Sequence, residues 1–149
     1  RLSLVGSEMC IRDRSYGSLS KNAILSLNKG ARLGGFAHNT GEGGLSPHHL
    51  EGGGDLIWQV GTGYFSCRHP DGTFDPARFK ENAHRENVKM IEIKLSQGAK
   101  PGHGGILPAR KLTPEIIAIR GVEPGKDVIS PPGHTAFNPR LCAASTDRL

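Results

Sequence analysis

The stretch NVKMIEIKL, residues 87–95, alternates with period two, and no other feature limits the fold as tightly. A strand sends successive side chains to opposite faces, so Ile91, Ile93 and Leu95 share one face while Glu92, Lys94 and Ser96 share the other. A strand covered by helices on both faces is normally apolar throughout, and charges left in such a layer cost on the order of several kcal/mol each. Two arrangements accommodate the charged face. In a (β/α)8 barrel one face of each strand points inward and, near its C-terminal end, lines the active-site mouth. An edge strand exposes the same face to water instead. The run that follows, SQGAKPGHGGILP, sets Gln97, Lys100 and His103 among glycines, whereas a flexible linker would be indifferent Gly/Ser sequence.

The flanking segments alternate helix and strand. SKNAILSLNKG reads as a helix with Ser20 as N-cap, Ile24, Leu27 and Ala31 on one face, and Gly30 as the stop. A short strand is expected at Phe36–Asn39, and DLIWQVGTGYFSC supplies one or two more. FDPARFKENAHRE is a helix capped by Asp75, with Pro76 in its first turn and Phe79 and Ala83 as the buried pair. LTPEIIAIRG repeats that opening with Thr113 and Pro114 and ends at Gly121, and DVIS forms a brief last strand before the PPGH loop. This order predicts an α/β fold with parallel strand pairing.

Composition narrows the function. A chain of 149 residues has room for one core. Its net charge of +5 is spread without a basic block, and aromatics make up 5%, so nucleic-acid binding is not supported. No apolar run reaches the roughly 18–20 residues of a membrane span. Cys10, Cys67 and Cys142 are scattered and odd in number, as expected of a reduced, cytoplasmic setting. Both ends differ in character from the middle. Leu4–Asp13, LVGSEMCIRD, matches the translation of a common sequencing adapter, so residues 1–14 are read as non-native. The last stretch, PRLCAASTDRL, loses apolar periodicity.

Several local patterns carry little. Ser18 and Lys21 form S-x-x-K, but its partner motifs are missing and Ser20 is already a helix cap. His48, His49 and Glu51 have no established metal-ligand spacing and read as a solvated loop pair. No dinucleotide or phosphate-loop glycine motif is present.

HNTGEGG and IKLSQGAKPGHGG are far more specific. With SYGSLSKNAIL, EGGGDLIWQVGTGYF, LTPEI and DVISPPGH, they make the chain from about Ser15 to Phe137 resemble the FMN-binding barrel domain of glutamate synthase. The similarity is strongest to the short stand-alone form of bacteria and archaea. It implies a partial (β/α)8 TIM-type barrel in residues 15–149, truncated after about four to five βα units, because a full barrel takes roughly 250 residues.

The reaction implied is reductive amination of 2-oxoglutarate through 2-iminoglutarate to L-glutamate, with FMN as cofactor. A glutaminase partner would supply ammonia and a separate donor the electrons; iron–sulfur binding is not inferable from these residues. On this resemblance Lys94 neutralises the anionic reduced flavin, Gln97 hydrogen-bonds its ring, Gly98 lets the backbone approach, and Ser18 touches its edge. Glu42 orients the imino nitrogen or handles its proton, and Lys100 holds a substrate carboxylate. Two other readings share these residues: a different FMN-barrel oxidoreductase, including one forming N-methylglutamate, and a non-catalytic ligand-binding subunit.

Overall fold

The computed structural model describes residues 15–97 and 102–137. The readings placed on residues 1–14, on Gly98 and Lys100, and on the C-terminal stretch from Pro139 therefore lie outside the described residues. Helix α1 (Lys21–Gly34) leads into β1 (His38–Asn39), α2 (Pro47–Glu51) and β2 (Leu56–Val60); α3 (Pro76–Ala83) then crosses to β3 (Val88–Ile93). Beyond it come β4 (Ile106–Leu107), a short 3-10 turn at Ala109–Lys111, α4 (Pro114–Arg120) and β5 (Val128–Ile129).

Strands β1, β2 and β3 form one parallel sheet in that order. Opposite each other on β2 and β3 stand Trp58 and Ile91, then Gln59 and Glu92, then Val60 and Ile93. This register sorts the faces. Leu56, Trp58 and Val60 pack with Val88 and Ile91 beneath Phe74, Phe79 and Ala83. Gln59 and Glu92 turn to the other side. The described residues thus form a mixed α/β fold with a parallel three-stranded sheet.

Caps explain the helix starts. Ser20 Oγ accepts from Ala23 N, Asp75 Oδ1 from Ala77 N and Arg78 N, and Thr113 Oγ1 from Ile116 N. Gly121, at φ 62°, closes α4 in the left-handed conformation, as expected. Helix α1 does not stop at Gly30. It continues to Gly34 and ends on Gly35 at φ 66°, because Ala31 is buried beside Ile24 and anchors one further turn. That end also shortens β1: the Phe36 N–H donates to Ala31 O and is lost to the sheet.

Two further expectations differ. β5 pairs antiparallel with β4, with Ile106 opposite Ile129, so DVIS does not extend the parallel sheet. The flanking Gly105 and Pro108 keep β4 to two residues, and Ser130 N adds one further bond to Gly105 O. On β3, the apolar face is the less covered one towards its end: Ile93 and Leu95 are 44% and 51% exposed, while Glu92 and Lys94 are half-buried. No helix among the described residues is long and apolar enough to cross a membrane.

His48 and His49 are both buried rather than solvated. Ser46 N donates to His49 Nδ1 at 3.1 Å, so this imidazole helps cap α2 and must stay neutral to accept. Burial, reinforced by the nearby His38 and His48, pushes the His49 pKa from 6.5 down to about 3. Between those values the unfolded chain binds a proton that the folded chain refuses. Stability from this group is therefore full above about pH 6.5 and lost as the pH falls towards 3, at up to about 1.4 kcal/mol per pH unit. Urea denaturation of the full-length protein should show this slope, and His49→Gln should flatten it. Equal stability at about pH 5 and pH 7 would contradict this account.

Candidate functional site

The polar side of the sheet is a connected network. Glu92, on β3, accepts from Asn39 Nδ2 on β1 through Oε2 and from Gln59 Nε2 on β2 through Oε1, both at 2.7 Å. One carboxylate thus ties all three strands together near their C-terminal ends. Each of its oxygens meets an amide donor, which compensates for placing a charge on a half-buried sheet face.

Lys94 lies one residue beyond β3 and keeps its register, its N–H donating to Val60 O at 2.9 Å. Its Nζ is 3.4 Å from Glu42 Oε2. Glu42 comes from the GEGG loop after β1, and the same oxygen accepts from Gln97 Nε2 at 2.6 Å. Glycines leave room for this carboxylate. A Cβ on Gly61 would approach Glu42 Cβ to 3.0 Å, and one on Gly105 would approach Glu42 Oε1 to 3.2 Å. Lys94, Gln97 and Glu42 are therefore brought together from two separate stretches of the chain, the end of β3 with its following loop and the GEGG loop.

Ser18 lies in the turn before α1, where its N–H donates to Ser15 O at 2.9 Å. A small cavity is lined by Ser18, Glu42, Phe65, Gly105 and Arg120. Arg120 is the residue the sequence did not disclose. At the last position of α4 it reads as a solvated cation complementing the helix dipole, yet only 7% of it is exposed. Nη2 donates to Tyr16 O at 3.1 Å, and the guanidinium lies 4.7 Å above the Phe65 ring. Burial lowers its pKa while the Glu42 charge opposes that shift. Its Nε is buried without a hydrogen-bond partner among the described residues.

Other residues singled out by the sequence have structural work. Ser20 caps α1. His48 hydrogen-bonds Glu115, which also accepts from the Tyr16 hydroxyl, and Tyr16 is held up at a pKa of about 12 by burial and that carboxylate. Cys67 is buried and free, its thiol pushed up to about 12 by burial and by Asp75. Among the described residues no cluster of His, Cys, Asp and Glu is arranged to hold a metal.

An α/β protein carrying a carboxylate, a lysine and an amide together at the C-terminal ends of parallel strands, beside a cavity walled by a buried arginine, belongs to a broad class of small-molecule enzymes and binding proteins. Comparison with known proteins narrows it. Residues 2–140 match the family model described as the conserved region in glutamate synthase, and the chain belongs to that family. The glutamate synthase large subunit-like protein YerD of Bacillus subtilis is 48% identical over 118 residues, covering 78% of this chain and 22% of that protein. The archaeal-type NADPH glutamate synthase of Thermotoga maritima is 43% identical over 121 residues, covering 80% and 21%. The NADPH glutamate synthase large chain of Bacillus subtilis is 38% identical over 130 residues, covering 80% and 7%. The chain spans about a fifth of the length of the first two of these relatives.

Proposed function

We propose that these residues form part of the catalytic centre of an FMN-dependent glutamate synthase, reducing 2-iminoglutarate to L-glutamate. The observation that carries this reading is the convergence of Lys94, Gln97 and Glu42 at the C-terminal ends of the parallel strands, with Arg120 across the Glu42 cavity. A helix-covered outer face and a polar opposite face support a partial (β/α)8 barrel, in which this end of the strands is the active-site mouth.

The donor set fits a flavin. Lys94 presents a cation and Gln97 an amide at the mouth, and Gly105, whose added Cβ would meet Glu42 Oε1 at 3.2 Å and Gln97 Nε2 at 3.6 Å, puts no side chain against them. FMN, when bound, would supply the hydride. Lys94 would stabilise negative charge on the reduced ring, with Gln97 as its hydrogen-bond partner and Ser18 at its edge. Gly98 would complete the close backbone approach. The substrate is a dicarboxylate, so its ends call for cations; the Arg120 guanidinium at the cavity would hold one carboxylate, and Lys100 the other. Glu42 would accept from the imino N–H and pass a proton from the carbinolamine nitrogen to its departing hydroxyl, so that 2-oxoglutarate and ammonia give 2-iminoglutarate and water. Two relatives carry NADPH in their names, and NADPH is the reductant proposed for the complete protein. A glutaminase domain or subunit would deliver ammonia. The buried free Cys67 supports a reduced, cytoplasmic setting.

The test is made on the full-length protein. It should carry flavin absorbance and, once reduced, form glutamate from 2-oxoglutarate and ammonium. A colourless protein would reject the flavin reading. A yellow protein that ignores 2-oxoglutarate but converts methylamine and glutamate would assign it to the N-methylglutamate-forming relatives.

A further inference from the structure

The PPGH loop has no part in the chemistry above, yet it reaches Lys94. His134 is buried, with Nδ1 at 3.0 Å from the Tyr64 hydroxyl and Nε2 at 3.0 Å from the Lys94 main-chain oxygen. Tyr64 is 2% exposed, in the turn after β2. Its hydroxyl oxygen accepts from Thr135 N at 3.0 Å and Ala136 N at 3.1 Å. Those two bonds occupy both lone pairs, so the hydroxyl proton has one direction left, towards His134 Nδ1. The ring proton must then sit on Nε2, where it donates to Lys94 O. Each of the four bonds has one donor and one acceptor, and only this tautomer satisfies them all.

The backbone supports the same conclusion. Tyr64 adopts φ 51°, uncommon for a residue other than glycine and unfavourable for a large aromatic one. Its ring packs against Phe74 and His134, and His134 stacks on Phe137 at 4.7 Å between centroids. A strained turn held this firmly is the anchor of the network. At its far end, Lys94 is gripped twice: by Val60 O through its N–H, and by His134 through its carbonyl. Lys94 has already left β3, and the residues after it enter the Gly-rich loop. His134 provides the hydrogen bond that a neighbouring strand would otherwise supply.

We infer that Tyr64 and His134 are positioning residues that fix the main chain at Lys94, and so aim Lys94 and Gln97 at Glu42. This rests on the proposed role of Lys94. The experiment combines Tyr64→Phe and Lys94→Met, singly and together, in the full-length protein. Tyr64→Phe keeps the ring and removes the hydroxyl. It should speed hydrogen exchange at the Lys94 amide while leaving Trp58 protected, and weaken FMN binding to the apoprotein and turnover by about three- to tenfold: three bonds at the hydroxyl are lost, but the site feels them only through the single His134 bond to Lys94 O. On the Lys94→Met background, Tyr64→Phe should cost clearly less than on the wild type, because only the part that runs through Gln97 is left. Nitrogen chemical shifts of His134 should show a proton on Nε2 and none on Nδ1.

Additive losses, or unchanged exchange at Lys94, would overturn the inference. An inert Lys94→Met with faster Lys94 exchange in Tyr64→Phe would uphold the positioning and reject the flavin role of Lys94. A strong Lys94→Met effect with an inert Tyr64→Phe would do the reverse.

Discussion

Lys94→Met in the full-length protein is expected to lower turnover by about 10²–10³, the effect of removing one preorganised charge beside a developing anion, about 2–4 kcal/mol. Methionine keeps most of the stem volume and removes the ammonium. The reduction potential of the bound flavin should fall, because the reduced, anionic form loses its neighbouring cation. Folding should change little. The Lys94 and Glu42 side chains remain 19% and 26% exposed, so their ion pair is partly screened by solvent, and Gln97 still donates to the carboxylate when Lys94 is gone. The informative outcome is therefore a loss of rate and potential with thermal stability nearly intact. An unchanged potential would leave Lys94 as a partner for Glu42 and nothing more.

Much of this arrangement was legible because it depends on local chemistry. Ser20, Asp75 and Thr113 cap their helices as the sequence indicates, since a cap needs only a side-chain oxygen near the first free N–H groups. Period-two alternation correctly grouped Glu92 with Lys94. It could not say which face would be covered, because burial depends on what packs there. Ile93 and Leu95 therefore came out exposed while Glu92 acquired two amide donors. Asn39 and Gln59 were missed for the same reason. Neither means much alone, and their role appears only once the register sets them around Glu92.

Arg120, His48 and His49 show the converse. Each looks ordinary in sequence, a helix-end cation and a loop pair, and each is buried among residues the local pattern does not bring together: Tyr16 and Phe65 for Arg120, Glu115 for His48, and the His38 ring for His49. The pairing of β5 with β4 was likewise hidden, because two-residue strands carry almost no periodicity.

Gly104→Ala is expected to be the most disruptive single-methyl change among the described glycines of the Gly-rich loop. A Cβ at Gly104 would lie 1.6 Å from the Ser130 carbonyl oxygen and 2.4 Å from its carbon, with Pro131 O at 2.9 Å. These are backbone atoms, so no rotamer change can relieve the contact. Either the 102–105 segment or the start of the PPGH loop must move. Overpacking of this kind costs about 3 kcal/mol or more, the upper end for inserted methyls. The displacement would pull on Gly105, whose carbonyl accepts from Ser130 N and whose Cα faces Glu42, and on His134 four residues beyond Ser130. Stability and the Lys94 site should therefore fail together. Gly133→Ala is the control within the same pair of loops: nothing lies within 4 Å of its added methyl and its φ is not left-handed, so it should stay within about 0.5 kcal/mol of wild type. Thermal unfolding of the two variants decides the matter, and equal melting temperatures would mean that the two loops do not pack as closely as this.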